Sequence, residues 1–439
     1  MWASEVARAT GGDLVGEDVI VDGATQDSRT VTPGCLFVPL VAERDGHEFI
    51  EAAIAAGAAA HLTDHSEISP STTAIRVVDT STGLTALGSA ARRSVGAGGG
   101  RVVGITGSVG KTSTKDLVAA VLARSGTTHA SDRSFNNEIG VPLTLLGAPA
   151  GAAHVVVEMG ARSEGDIADL AGVAHPDVGV LTTVAHAHTG SFGCLEVVAR
   201  TKGELFDGLP PDGCAVVHAD VPEALAQADR ARCSVLTFGD LGEVRARDVR
   251  LDDVLRPTFR LESPWGRVEV TLDARGAHMV SNALAAAAVG LVEGVGLDDV
   301  VAGLAEARLS PWRMEVATGS SGCTVVNDAY NANPTSTTAA LDALAAFPGG
   351  GRRIAVLGKM AELGDDGPSA HAAVAGHAAD LGVEVLAAST DLYGVDGLEG
   401  TDAVIAALGE RDLGQRDAVL VKGSRVAGLE TVVEALLGG

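Results

Sequence analysis

Between Arg101 and Asp116 the chain reads Arg-Val-Val-Gly-Ile-Thr-Gly-Ser-Val-Gly-Lys-Thr-Ser-Thr-Lys-Asp. These residue types, in this order, can hold a phosphate chain. Gly107 and Gly110 let the backbone turn tightly around Ser108 and Val109 and aim N–H groups at an anion. Lys111 adds a point charge beyond the loop. Thr112, followed by Ser113, offers a hydroxyl to a Mg²⁺ ion carried by the phosphates. Two further groups sit where apolar runs end. Glu158 closes the run His154–Val157 and has the character of a hard oxygen ligand for Mg²⁺. The run Val178–Val184 leads into Ala185-His-Ala-His188, where His188 either touches the metal or its waters, or bonds backbone as a structural histidine. The chemistry implied is nucleoside triphosphate binding with phosphoryl transfer, which depends mainly on positioning and charge stabilisation.

Such a loop works only between a strand and a helix. The β-branched run Val102–Ile105 supplies the strand, and Thr112–Arg124 a helix whose positive end faces the anion. In an open parallel sheet ligands lie beyond the carboxyl ends of strands, where the tails at Glu158 and His188 also lead. Upstream, residues 1–97 read as a small α/β unit. Its strands are expected at Val19–Val21, Cys35–Leu40 and Ala74–Val78, its helices at Glu48–Ala56 and Leu84–Val95. Asp27-Ser28-Arg29 lies in a turn before a strand and suits a phosphate or sugar, or is a plain surface turn. The run Gly96-Ala-Gly-Gly-Gly100 marks a boundary. Residues 98–309 then alternate strands and helices, apart from period-two alternation between Glu243 and Asp273 that predicts an antiparallel hairpin. The helix Asn282–Leu291 closes this segment. From Ser310, strands at Cys323–Asn327, Arg352–Leu357, Val383–Ala387 and Ala418–Val421 each precede a helical stretch, which implies a third, mostly parallel α/β unit. No second P-loop occurs in it. The expected fold is therefore α/β in three domains: 1–97, a P-loop parallel sheet with an antiparallel subsheet at 98–309, and a Rossmann-like unit at 310–439.

Composition narrows the class. The 439 residues carry a formal net charge of −25, which excludes a general nucleic-acid binder but not a phosphorylated substrate held by a few local cations. The five cysteines are scattered without a Cys-x-x-Cys pair, so neither a zinc site nor a disulfide framework is indicated. Met1–Gly12 lacks the layout of a signal peptide, and the longest apolar run, Ala283–Val292, is too short and alanine-rich to span a bilayer. A cytoplasmic protein without stable membrane insertion is the expectation.

Several stretches together carry a resemblance: Ile105-Thr-Gly-Ser-Val-Gly-Lys-Thr-Ser-Thr-Lys, Ser134-Phe-Asn-Asn-Glu-Ile-Gly-Val-Pro, Glu158-Met-Gly, Thr201-Lys-Gly-Glu, Asn282-Ala-Leu-Ala-Ala and Asp328-Ala-Tyr-Asn-Ala-Asn-Pro. In this order the chain resembles the Mur ligases of peptidoglycan synthesis over essentially its whole length. Tyr330-Asn-Ala-Asn-Pro, Met360-Ala-Glu-Leu-Gly and Lys422-Gly-Ser-Arg are most similar to members that add D-alanyl-D-alanine to UDP-N-acetylmuramoyl-tripeptide. The Asn-Pro-Arg expected of the diaminopimelate- or lysine-adding sister is absent. The resemblance implies that ATP converts the terminal carboxylate of the tripeptide to an acyl phosphate, which the dipeptide amine attacks to form an amide. It implies roles residue by residue. Lys111, Lys202, His188 and Arg313 would serve catalysis. Thr112 and Glu158 would hold Mg²⁺, with His188 in the second metal region. Lys202, which nothing marks by itself, would be a carbamylated metal ligand. Asn282 would contact adenine, Arg313 the γ-phosphate and Asp328 the ribose. Ser28 and Arg29 would lie near the uridine diphosphate, and Asn137 near the muramoyl peptide or the metal. The protein would act as a monomer. Departures from the family pattern occur at Thr183, His186, Met279 and Lys359. Another amide ligase of the superfamily, adding diaminopimelate, lysine or glutamate, is an alternative. A nucleotide-gated switch is a remoter one, since no Asn-Lys-x-Asp motif is present.

Overall fold

The computed structural model describes residues 1–66, 72–132, 134–185, 192–361 and 363–438. The chain divides into two compact units. One holds Met1–Gly104, Gly126–Gly160 and Ile167–Asp177, the other Ile105–Ser125, Ala161–Asp166 and Val178–Gly439.

In the first unit five short strands form a sheet in the order Asp13–Val15, Ala74–Arg76, Ala60–Thr63, Leu36–Phe37, Ala24–Thr25. Only the first pair is antiparallel; the rest run parallel. Leu36, Leu62 and Ile75 fill the core beneath helices Ala3–Thr10 and Thr80–Ala97 through Val6, Leu84 and Leu87. The long helix starts at Asp79, whose carboxylate accepts the Thr82 N–H at 2.6 Å, a standard N-cap. Its Gly88 lets the helix Gly140–Leu146 approach so closely that a Cβ there would lie 2.7 Å from Pro142. Strands Thr128–Ala130 and His154–Glu158 pair in parallel in the same unit.

The expected strand at Val19–Val21 does not form. Ile20 makes only an isolated antiparallel bridge to Trp2, because Val21 is taken up by both backbone groups of Met1. Cys35–Leu40 shrinks to Leu36–Phe37, and the helix expected from Glu48 begins at Ile50 after a 3-10 turn over Gly46–Phe49. Sequence reading missed the helix Ala3–Thr10 and the strands Asp13–Val15 and Ala60–Thr63.

In the second unit the end of strand Arg101–Thr106 feeds the glycine loop and then helix Lys111–Leu122. Thr182 N–H donates to Thr106 O beside it, and strands Val178–Leu181, Cys214–His218 and Ser234–Phe238 continue in parallel. The alternating segment becomes three antiparallel strands, Arg245–Leu251, Pro257–Ser263 and Gly266–Thr271. Helix Met279–Val292 is apolar from Ala283 onward and correspondingly buried, with Ser281 and Asn282 as its polar exceptions in the first turn. It lies against the loop helix at Gly290, where a Cβ would meet Val121 at 2.4 Å. Small residues thus set how near the two helices come, and with that the place of the glycine loop. The last sheet has the order Glu315–Thr318, Thr324–Asn327, Ala418–Lys422, Arg353–Gly358, Glu384–Ala388. It is parallel except for the first, unforeseen edge strand. Among the described residues no helix is long and apolar enough to cross a membrane.

Candidate active site

The glycine loop is built as the sequence demands. Gly107 has φ 147° and Gly110 φ 85°, conformations that favour glycine. Space excludes a side chain as well: a Cβ would lie 2.0 Å from Thr182 Oγ1 at Gly107 and 2.5 Å from Asn282 Oδ1 at Gly110. The loop is pinned from below. Thr182 Oγ1 donates to Val109 O at 2.7 Å, Ser108 N–H to Thr183 O at 2.8 Å, and Ala185 N–H to Ser108 Oγ at 3.0 Å. Thr183, a departure from the family pattern, therefore serves the loop through its backbone. Lys111 Nζ folds back to donate to Gly107 O at 2.7 Å, and Thr112 and Ser113 are buried in the first turn of the helix. Lys111, Thr112 and Ser113 of the first helix turn thus bring an ammonium, hydroxyls and backbone donors to one loop, the makings of an anion site.

Lys202 lies on helix Leu195–Asp207 and is only 2% exposed. Burial pushes its ammonium down to about 7, and the nearby charge of Lys111 adds to the effect. An amine neutral in a large fraction near pH 7 is nucleophilic, as addition of CO₂ requires. Arg313 arrives from far along the chain. Its Nη2 donates to Thr112 Oγ1 at 2.9 Å, and its guanidinium lies 4.4 Å over the Tyr330 ring. The flanking residues Trp312 and Met314 have φ of 63° and 54°, a left-handed conformation costly for non-glycine residues and here tied down on both sides. Trp312 carries Arg425 over its ring at 4.2 Å, and Met314 N–H donates to Asp328 Oδ1 at 3.3 Å. Asp328 Oδ2 in turn accepts from the buried Lys422 at 2.5 Å, and Lys422 also donates to Asn331 O at 2.8 Å. Ser310 N–H donates to Asp116 Oδ2 at 2.6 Å, which fastens the start of the last segment to the loop helix.

Asn282 sits against this helix too. Its Oδ1 accepts from Thr114 Oγ1 at 3.4 Å and its Nδ2 reaches Met279 Sδ at 3.4 Å. The departure at Met279 therefore supplies a weak sulfur acceptor that orients the Asn282 amide. Lys359, another departure, uses its carbonyl to accept from Ser424 Oγ at 2.9 Å, which joins its turn to the Lys422-Gly-Ser-Arg turn.

In the first unit Glu158 is almost fully buried at the end of its strand. Asn136 Nδ2 donates to its Oε1 at 2.8 Å and Ser131 Oγ accepts its N–H at 3.1 Å. Asn137 Oδ1 accepts the Gly140 N–H at 3.0 Å, at the entry of a helix. The residue on the Glu158 carboxylate is its neighbour Asn136, to which the sequence assigns no role. Ser28 opens a 3-10 turn, and Arg29 grips Asp27 with two nitrogens, Nη2 at 2.6 Å. That pairing holds the Asp27 carboxyl down to about 2 and keeps the arginine occupied locally. His186 and His188 lie outside the described residues.

Known proteins match this chain from end to end. The Mur ligase middle domain matches residues 105–290, and the Mur ligase glutamate ligase domain residues 312–425. The UDP-N-acetylmuramoyl-tripeptide–D-alanyl-D-alanine ligase of Mycobacterium tuberculosis is 39% identical over 498 residues, covering 100% of this chain and 98% of that protein. That of Escherichia coli is 36% identical over 447 residues, covering 99% and 97%. Among solved structures, MurF from Acinetobacter baumannii has a TM-score of 0.90 at 28% identity, covering 100% of this chain and 98% of that one. MurF ligase from Thermotoga maritima, solved in complex with ADP, has a TM-score of 0.83 at 28% identity, covering 96% and 98%. Likeness this complete means that the chain belongs to the Mur ligases, ATP-dependent carbon–nitrogen ligases of peptidoglycan precursor synthesis.

Proposed function

We propose that the protein joins D-alanyl-D-alanine to UDP-N-acetylmuramoyl-tripeptide, consuming ATP and releasing ADP and phosphate. The observation that carries this reading is Arg313. A residue of the ligase segment bonds Thr112 of the glycine loop, so the segment expected to bind the amine also supplies a cation to the phosphate site. In the reaction ATP phosphorylates the tripeptide carboxylate, and the dipeptide amine then displaces phosphate from the acyl phosphate. Both steps shift negative charge among oxygens. Lys111 and the loop N–H groups (Gly107, Ser108, Val109, Gly110, Thr112, Ser113) hold the phosphates, and Arg313 places charge at the γ-phosphoryl group.

Thr112 and Glu158 offer a hydroxyl and a carboxylate, hard oxygens of the class Mg²⁺ takes, and a carboxylate as buried as Glu158 is suited to a cation partner. The family pattern assigns both residues to Mg²⁺, which when bound would neutralise phosphate charge. Lys202 fits carbamylation, since burial leaves its amine partly neutral and the added carboxylate would replace a cation by an anion. His188 is assigned to the same metal region by the family pattern alone. Asp328 keeps lone pairs beyond those used by Lys422 and Met314, so it can serve the ribose, and Asn282 the adenine. Segments 1–97, 98–309 and 310–439 take the UDP-sugar, ATP and dipeptide respectively, with Ser28, Arg29 and Asn137 on the side of the UDP-sugar peptide. A monomer in the cytoplasm, where ATP is made, is the matching physical state. Phosphate release with the UDP-muramoyl-tripeptide, with and without D-alanyl-D-alanine, tests the reading, together with the mass of the product. Release indifferent to the dipeptide, or satisfied by diaminopimelate, lysine or glutamate instead, would overturn it.

A further inference from the structure

A cluster in the first unit has no place in the ligase chemistry. Asp45 and His47 lie on the turn that leads into helix Ile50–Ala55, and Asp64 and His65 directly follow strand Ala60–Thr63. Asp45 Oδ1 is 2.7 Å from His47 Nδ1, a contact that in the neutral ring assigns the proton to Nδ1 and the lone pair to Nε2. The His47 side chain is 4% exposed, and its Nε2 is buried with no hydrogen-bond partner. That nitrogen stands 3.2 Å from Asp64 Oδ1. In the neutral ring a nitrogen lone pair thus faces a carboxylate oxygen, a pairing that a proton on Nε2 or a bound metal cation reconciles. His65 Nε2 completes the group, 3.7 Å from Asp45 Oδ2 and 3.8 Å from Asp64 Oδ1. One ligand atom each from Asp45, His47 and His65 falls within 4.8 Å of the others.

We propose that His47, His65 and Asp64, with Asp45 holding the His47 ring from its other nitrogen, form a binding site for a first-row divalent cation, best matched by Zn²⁺ with solvent as fourth ligand, which ties the Asp45–Phe49 turn to the end of strand Ala60–Thr63. A tetrahedral Zn²⁺ with bonds of about 2.0–2.1 Å sets its ligands about 3.3 Å apart, close to the His47–Asp64 separation and somewhat tighter than the 3.8 Å between His65 and Asp64. Imidazole nitrogens select such an ion over Mg²⁺, which takes oxygen ligands and keeps its waters. Two carboxylates balance its charge. The Nδ1–H of His47 already donates to a carboxylate oxygen, the support that zinc-bound histidines commonly have. One rearrangement is required. The His47 and His65 rings are stacked at 3.9 Å and 13°, and parallel rings cannot both aim a lone pair at one ion. His47 is fixed by burial, so the half-exposed His65 ring turns out of the stack.

The test uses the untagged full chain, stripped with a chelator and kept in millimolar Mg²⁺ to fill hard-oxygen sites. Calorimetric titration with Zn²⁺ is expected to give one site per chain, and Co²⁺ in its place the intense visible bands of a four-coordinate ion. His65→Ala trims an exposed ring and leaves the core intact; it is expected to weaken Zn²⁺ binding by about 10- to 100-fold or more. His47→Gln should do the same. Absence of Zn²⁺ uptake by the parent protein, or equal uptake by the parent and His65→Ala, would overturn the proposal.

Discussion

Replacing Lys202 by methionine should make the protein more stable and leave it inactive, with a pH dependence that identifies the cause. The lysine is depressed from 10.5 to about 7 because burial and Lys111 disfavour its charged form. Between those values the unfolded chain binds the proton and the folded chain does not. Stability therefore rises with pH across that window, and the penalty is fully present below about pH 7. At 1.36 kcal/mol per unit, the penalty is about 5 kcal/mol near pH 6 and about 2 kcal/mol near pH 9. Methionine fills a similar volume without a charge, so its advantage over the parent should shrink by about 3 kcal/mol over that range. Denaturant unfolding in CO₂-depleted buffer at a series of pH values measures this directly. A methionine variant no more stable than the parent near pH 6, or an advantage constant with pH, would refute the assignment of a neutral buried amine. Phosphate release in the same variant should be lost, and Lys202→Ala should regain part of its rate with added short carboxylates.

Three further outcomes follow from the geometry. Arg313→Ala should lower kcat/KM by about 10²-fold or more, and Arg313→Lys should not restore it, because an ammonium lacks the planar group that lies over Tyr330 while bonding Thr112; steady-state phosphate release at saturating dipeptide checks both. Asn136→Ala should cost about 1–3 kcal/mol of stability and raise the Mg²⁺ requirement, since it removes a donor from the buried Glu158 carboxylate; Asn137→Ala should spare the Mg²⁺ requirement. Gly110→Ala should abolish ATP binding measured by calorimetry, because the methyl group must share space with Asn282 Oδ1 at a φ of 85°.

What the sequence could reveal was chiefly local. A glycine loop between a β-branched run and a lysine–threonine pair has one economical fold, because strand, turn and helix each follow from the types of adjacent residues. The period-two stretch before Asp273 and the strands of the last segment were legible for the same reason. Short strands such as Val19–Val21 were not, since three extended residues pair with whatever edge lies beside them, and here that was the N-terminus. Other outcomes depended on groups distant along the chain. Arg313 meets Thr112 across 201 positions, Lys422 meets Asp328 across 94, and Asn136 rather than Asn137 finds Glu158. Lys202 looks like any helix lysine until burial removes its water, and His47 is unremarkable until Asp64 stands against its bare nitrogen. Charge, reactivity and ligand geometry arise from desolvation and from neighbours brought in by folding. The sequence by itself determined the loop that grips phosphate; only the tertiary structure decided which side chains surround it and in what state of charge.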